Sequence, residues 1–449
     1  MNSKSEQREA ENHVKQVTAT GWVLVRLGEV ANLLTGFPFK SDKYVDDSNA
    51  PRLLRGDNVA QGILRWDGAK RWPQAATKDV AEYWLREGDI ILAMDRPWIE
   101  AGLKYASVRD SDLPSLLVQR VARLRGTDRL HTRFLKYVIA SKAFTDYVLA
   151  VQTGTTIPHI SGDQIKSFEF LLPPLQQQRS IAHILHTFDD KIELNQQMNK
   201  TLEAIGKATF KHWFVDFEFP NEEGRPYKSS GGEMAYSEEL EKEIPKGWQP
   251  DKLGNHSIIK GRIGWKGLQV SEYVDQGPYI VGGSQLLDNR VNWDNCPRVP
   301  QERYDESADI MLRESDILMT KDGTIGKLAF VNELPGPSTV ASGIFVIRNN
   351  SQTLNQMYLW SLFKSDTFRW LVETRIEGSV IPHLYQRDIA DLQIVLPTRD
   401  VASEFGLAAR SIQRKISANS EFSLRLRRMR DSLLPKLMSG KIRVPVEAG

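Results

Sequence analysis

Residues 174–214 read PLQQQRSIAHILHTFDDKIELNQQMNKTLEAIGKATFKHWF, and their apolar positions recur at coiled-coil spacing. Ile181, Leu185, Phe188, Ile192, Met198, Leu202 and Ile205 fall on one line, with Asn195 the polar residue among them. The spacing predicts one long helix, and about 38 helical residues would span roughly 57 Å, more than a small domain needs across its core. The pattern returns at Phe405, Ala409, Ile412, Ile416, Phe422, Leu426 and Met429, each 224 residues beyond its counterpart, and Asn419 interrupts it where Asn195 interrupts the first copy. One such helix reads as the core of a bundle. Two copies at equal phase predict an intramolecular coiled coil, with Asn195 and Asn419 setting register.

The chain has 449 residues, enough for two to four domains. Its 41% hydrophobic and 26% charged residues suit an ordinary globular protein and exclude disordered and membrane-spanning classes. A formal charge of +2 argues against a general polyanion coat but permits local basic clefts. The single cysteine, Cys296, excludes an internal disulfide and a Cys-rich zinc site, and fits a reducing cytosol. No signal-peptide core or long apolar run is present, so a cytoplasmic location is expected.

Taken in order, residues 1–20 read as a polar arm and residues 21–173 as a first α/β domain. Residues 174–214 are the first long helix and 215–246 a linker rich in Gly, Pro, Glu and Ser. Residues 247–397 repeat the first domain, 398–438 repeat the helix, and 439–449 form a tail. Gly247-Trp248 answers Gly21-Trp22, and Arg313-Glu314-Ser315-Asp316-Ile317 answers Arg86-Glu87-Gly88-Asp89-Ile90. Ile381-Pro382-His383 answers Ile157-Pro158-His159, and Leu396-Pro397 answers Leu172-Pro173. The fold class expected is therefore α+β: two similar α/β domains separated by a pair of long antiparallel helices, as an internal pseudo-twofold repeat. Antiparallel pairing is favoured because it places the end of the first helix near the second domain, which a parallel pair would force the linker to reach by returning along the rod.

Enzyme signatures fail one by one. Gly323 to Leu328 resembles a phosphate loop, but Lys321 stands where that loop needs Gly and Leu328 where it needs Ser or Thr. No metal, hydrolase or nuclease constellation is found. Residues suited to DNA are better represented. In the first domain they are Lys40, Arg55, Asn58, Arg65, Lys70, Arg71, Arg96 and Lys104 at strand ends, with the loop residues Thr155, Thr156 and His159. In the second they are Arg262, Lys266, Ser284, Gln285, Lys321, Asp322 and Lys327, with Ser379 and His383. Such side chains can pair with phosphates and base edges. Singly, each also reads as solvated surface, and each histidine as a satisfied loop residue.

Two half-similar domains, each opening near Gly-Trp and Leu-Gly, each closing on a Gly-x-x-Ile-Pro loop and Leu-Pro, and each feeding a long helix, resemble the specificity subunit of a Type I restriction-modification enzyme. The resemblance runs from about Gly21 to Lys441, strongest at Leu172 to Arg179; the second copy departs from it at Thr398-Arg399. It implies two target-recognition domains reading the halves of an asymmetric bipartite DNA sequence, with the helices setting the spacer. It also implies partners: two adenine-N6 methyltransferase subunits using S-adenosylmethionine, and restriction subunits driven by ATP and Mg2+, with no cofactor and no catalysis in this chain. Two other classes stay open on the residues alone: a self-contained duplicated-lobe DNA enzyme such as a nuclease, and a coiled-coil scaffold for proteins. Finally, Phe210, Trp213 and Phe214, with Leu434 and Leu437, cluster at the two helix ends. They are expected either to pack on the domains or to dock the methyltransferase subunits.

Overall fold

The computed structural model describes residues 21–444 apart from 155, 263–267 and 377–382. The polar arm and the end of the tail therefore lie outside the described residues. The chain forms two compact units, one from the chain up to Glu193 together with the chain from Ser423, the other from Leu194–Phe422. The division falls inside both long helices rather than at their ends.

The first unit contains strands β1 (Val23–Arg26), β2 (Ala31–Thr35), β3 (Arg52–Leu54), β4 (Gln61–Gly62), β5 (Ile90–Ala93), β6 (Tyr105–Ser107), β7 (Ser115–Leu117), β8 (Val121–Gly126) and β9 (Glu169–Leu172). Its main sheet has the order β2-β8-β5-β6-β4, while β1 pairs with β9 and β3 lies parallel to β7. β5 is apolar and buried at every position, as expected of a central strand covered on both faces. Helices α1 (Thr132–Ile139) and α2 (Lys142–Val151) follow; the Ser141 hydroxyl accepts the Phe144 N–H and starts α2. Pro173-Pro174 then opens α3 (Leu175–Phe214), whose entry is pinned by Gln178. The buried Gln178 amide donates to the Arg129 and Pro173 carbonyls and accepts from the His131 N–H.

The second unit contains β10 (Met234–Ser237), β11 (Lys242–Pro245), β12 (Gln249–Lys252), β13 (Ser257–Gly261), β14 (Val274–Val281), β15 (Ile317–Thr320), β16 (Leu328–Phe330), β17 (Ser338–Val340), β18 (Ile344–Asn349) and β19 (Gln393–Leu396). Its main sheet runs β13-β18-β15-β16, β12 pairs with β19, and β14 lies parallel to β17, so the order of the first unit recurs over four strands, with no counterpart of β4 in this sheet among the described residues. Helices α4 (Gln356–Phe363) and α5 (Asp366–Ile376) precede α6 (Arg399–Met438). A bidentate Asp–Arg pair braces each sheet at the same place: Asp89 with Arg125, and Asp316 with Arg348. Each carboxylate also caps a turn, through the N–H of Arg86 or Arg313.

Within each unit the two long helices run antiparallel. In the first, Ile181 and Leu185 share a core with Leu437, while Asp189 meets Arg430 at 2.7 Å. In the second, Phe210 packs on Phe405, and the buried Asn195 and Asn419 face each other through a polar ladder. The Asn195 amide reaches the Asn419 carbonyl at 3.5 Å, Asn419 donates to Asn199, and Asn199 donates to Ser420. The seam is less regular than its spacing predicts, for Ile205, Phe422 and Met429 are exposed while Gln413 and Ser423 are buried.

Residues 215–246, expected as a linker, are instead a folded part of the second unit. They hold the β10–β11 hairpin, and Phe219 stacks between Tyr227 and Trp248 at 4.5 and 4.9 Å. These rings obey no helical or strand period, which is why the segment reads as structureless. Trp22 in the first unit donates its indole N–H to Gln177 of α3 and lies against Gly440, just beyond α6, where φ is +70° and a Cβ would lie 3.4 Å from its ring.

Candidate nucleic-acid interface

β5 ends where the buried run Ile90 to Met94 gives way to Asp95 at the surface. There Thr153 and residues 158–160 fold back on it. Thr153 and His159 exchange backbone hydrogen bonds, Ile160 N–H reaches the Met94 carbonyl, and Arg96 N–H reaches the Pro158 carbonyl. This registers His159 over Asp95, with Nδ1 2.6 Å from Oδ1, while Arg120 donates to Oδ2 at 2.7 Å. Burial alone would raise the Asp95 carboxyl, but the hydrogen bonds from Arg120 and His159 hold it below its ordinary value. Arg96 and Arg120 both have positive φ, a conformation that costs a non-glycine residue about 1–3 kcal/mol and persists only where neighbours impose it. Lys104 is half-buried; desolvation pushes its ammonium below the ordinary value, with Asp57 and Asp95 opposing and Arg96 reinforcing that shift. Beside these cations, Trp98 and Ile99 stand exposed in a short hairpin with Gly102 and Leu103.

The second unit repeats the arrangement at the end of β15. His383 Nδ1 bonds Asp322, Leu384 N–H reaches the Lys321 carbonyl, and Lys321 donates to Asp322 at 3.2 Å. Here Gly343 stands where Arg120 stands in the first unit, since Met94 N–H reaches the Arg120 carbonyl and Lys321 N–H the Gly343 carbonyl. An exposed Tyr385 ring packs edge-on against His383 at 4.5 Å, with Arg387 above that ring at 5.1 Å.

The sequence candidates divide sharply. His159, Arg96 and Lys104 come together in the first unit, and Lys321, Asp322 and His383 in the second. Lys40, Arg55, Arg65, Lys70 and Ser284 are exposed on their units, and Thr156 is exposed three residues before His159. Five have structural duties instead, a correction to their expected role. Asn58 is buried, accepting from Arg55 N–H and donating to the Arg65 carbonyl. Arg71 donates to the Ala50 carbonyl, and Lys327 to the Gly283 carbonyl. Gln285 accepts from Gly282 N–H and donates to the Asn295 carbonyl. Arg262 is buried, its guanidinium spent on the Val340 carbonyl, Thr339 and Ser307. Thr155, Lys266 and Ser379 lie outside the described residues. Asp95, whose duplicate Asp322 is a candidate, was not itself counted as one, and Arg120, Tyr385 and Arg387 were missed. The duplicated Asp, at 95 and 322, stood in the sequence as a signal for Asp95.

The helix-end clusters are core rather than docking surface. Phe210, Trp213 and Phe214 are buried against Phe405, Tyr358 and Trp248. Leu437 is buried in the first unit, and Leu434 packs partly buried against the same core.

The chain matches a family model described as the Type I restriction modification DNA specificity domain over residues 19–204. It is 27% identical over 380 residues to the Type I restriction enzyme MjaIX specificity subunit of Methanocaldococcus jannaschii, covering 84% of this chain and 83% of that one. It is 38% identical over 192 residues to the EcoAI specificity subunit of Escherichia coli, covering 42% of this chain and 31% of that one. In fold it is similar to the crystal structure of a Type I restriction-modification S subunit from M. genitalium, with a TM-score of 0.55 and 14% identity across 94% of this chain and 98% of that one.

Proposed function

We propose that this chain is a specificity subunit of a Type I restriction-modification enzyme and that each of its units reads one half of a bipartite DNA target. The chain is a DNA-recognition subunit that carries no catalysis of its own and assembles with other subunits of its system. The self-contained enzyme and the protein scaffold find no support among the relatives. One observation carries the finer reading. Both units repeat the same order over four strands, the same buried Asp–Arg brace and the same Asp–His strand end, yet differ in what surrounds that strand end: Arg96, Arg120, Trp98 and Ile99 in one, Lys321, Gly343, Tyr385 and Arg387 in the other. A common frame with different exposed side chains suits an internal repeat that reads two different sequences.

In this reading α3 and α6 set the distance between half-sites, because each is a continuous 40-residue helix shared by both units. Two methyltransferase subunits supply adenine-N6 methylation with S-adenosylmethionine, and restriction subunits supply ATP- and Mg2+-dependent cleavage. Mapping modified adenines in the DNA of a host that carries this chain with its methyltransferase tests the proposal. The expected result is an asymmetric bipartite motif, and replacing residues 247–395 with the matching segment of a relative should change one half of it. A continuous or palindromic motif, or a change in both halves, would overturn modular reading.

A further inference from the structure

Resting on that DNA-recognition reading, we propose that the Asp95–His159 and Asp322–His383 pairs are duplicated phosphate sites, each imidazole donating its outer N–H to a phosphodiester oxygen of the DNA backbone. In both pairs the carboxylate takes Nδ1, so the ring is oriented with Nε2 directed away from the protein's own acceptor. Both rings are partly exposed, with side-chain exposure of 37% and 31%, and among the described residues neither Nε2 has a hydrogen-bond partner. Clamping a loop to a strand end needs only Nδ1. It does not require a ring rather than an amide, nor a cationic setting.

That setting is present in each unit. His159 faces Asp95 and Arg120, with Arg96 and the half-buried Lys104 beside them; His383 faces Asp322 and Lys321, with Arg387 reached across the Tyr385 ring. An arriving phosphate would find cations already gathered, two of them on backbone held in the left-handed region. With Nδ1–H on the carboxylate, a neutral ring offers Nε2 only as an acceptor, and phosphate oxygens are acceptors too. Contact therefore requires a proton at Nε2.

The test uses the full chain and a duplex of arbitrary sequence, since backbone contacts act on any sequence. Affinity is measured by fluorescence anisotropy at about pH 6 and 8 over a salt series; the wild type is expected to bind about tenfold tighter at the lower pH. His159→Asn with His383→Asn keeps an amide N–H near Nδ1 and leaves nothing at Nε2. It should lose the pH dependence and flatten the log affinity against log salt slope by about two. His159→Gln with His383→Gln places a neutral donor at the outer position and should bind independently of pH, which decides the matter if the Asn variant melts early. Either variant showing wild-type pH and salt dependence would reduce the pairs to loop clamps. Failure of the wild type to direct methylation to any bipartite motif would instead sink the recognition reading itself.

Discussion

Asp189 and Gln413 stand at the same position in α3 and α6, yet they close their junctions by different chemistry. Asp189 accepts from Lys136 at 2.6 Å, Arg430 at 2.7 Å and the Tyr137 hydroxyl at 2.9 Å. Gln413 accepts from the Trp360 indole at 3.0 Å. Lys136 and Trp360 are themselves counterparts, as are Arg430 and Gly206, so charge and bulk have been exchanged together. The repeat kept a bond at each junction and changed its kind.

Removing the Asp189 carboxylate should strand two partly buried cations. Asp189→Asn is expected to cost about 3–5 kcal/mol at neutral pH, read by denaturant unfolding. Burial by itself would raise this carboxyl, but Lys136 and Arg430 hold it below its ordinary value. Its contribution is therefore complete above the unfolded carboxylate range, near pH 4, and disappears as pH falls through the lower folded value. The wild type should lose stability on acidification below about pH 4 more steeply than the variant, and parallel acid profiles would contradict this account.

Trp213→Ala should now be a stability variant. The ring lies among Phe214 and Phe405, and its loss is expected to cost about 3–5 kcal/mol in the second unit. Thermal melting of the isolated chain is the check. An unchanged melt with weakened subunit assembly would restore the docking role.

The asparagine ladder should trade stability for register. Asn195→Leu with Asn419→Leu removes buried amides and is expected to raise the unfolding midpoint. Adenine mapping should then show targets of mixed spacer length. A lower midpoint with a single spacer would show the ladder to be ordinary core.

Shortening both helices tests spacing directly. Deleting one seven-residue block from each, at facing positions, removes about 10 Å of helix, near three base pairs of duplex. The motif should keep both halves and contract its spacer, or lose methylation. An unchanged spacer at full activity would refute the measuring role.

The duplication was legible because Trp22 with Trp248, Ile157-Pro158-His159 with Ile381-Pro382-His383, and the helix seams recur in order. The seam itself was only partly legible. A straight helix drifts about 20° per heptad from a strict seven-residue repeat, and Ile205, Phe422 and Met429 emerge on its outer side while Gln413 and Ser423 turn inward. The DNA candidates were less legible still. Arg262, Asn58 and Gln285 have the composition of a reading surface, but a carbonyl from a distant strand claims Arg262, and backbone groups of their own turns claim Asn58 and Gln285. Asp95 and His159 were both in view and unconnected, since only the return of residues 158–160 onto the end of β5 makes them partners.

The first unit takes its residues from both sides of the second in the chain, and this fixes an order of events on the ribosome. The second unit is contiguous from Leu194 to Phe422, so every residue it needs has been made before Ser423. The first cannot bury Ile181 and Leu185 under Leu437, neutralise Asp189 with Arg430, or seat Trp22 beside Gly440 until the last turns of α6 emerge. The part translated first thus matures last. A nascent chain stalled in α6 would carry a finished second unit and an uncovered first one, the form most open to chaperones and proteases.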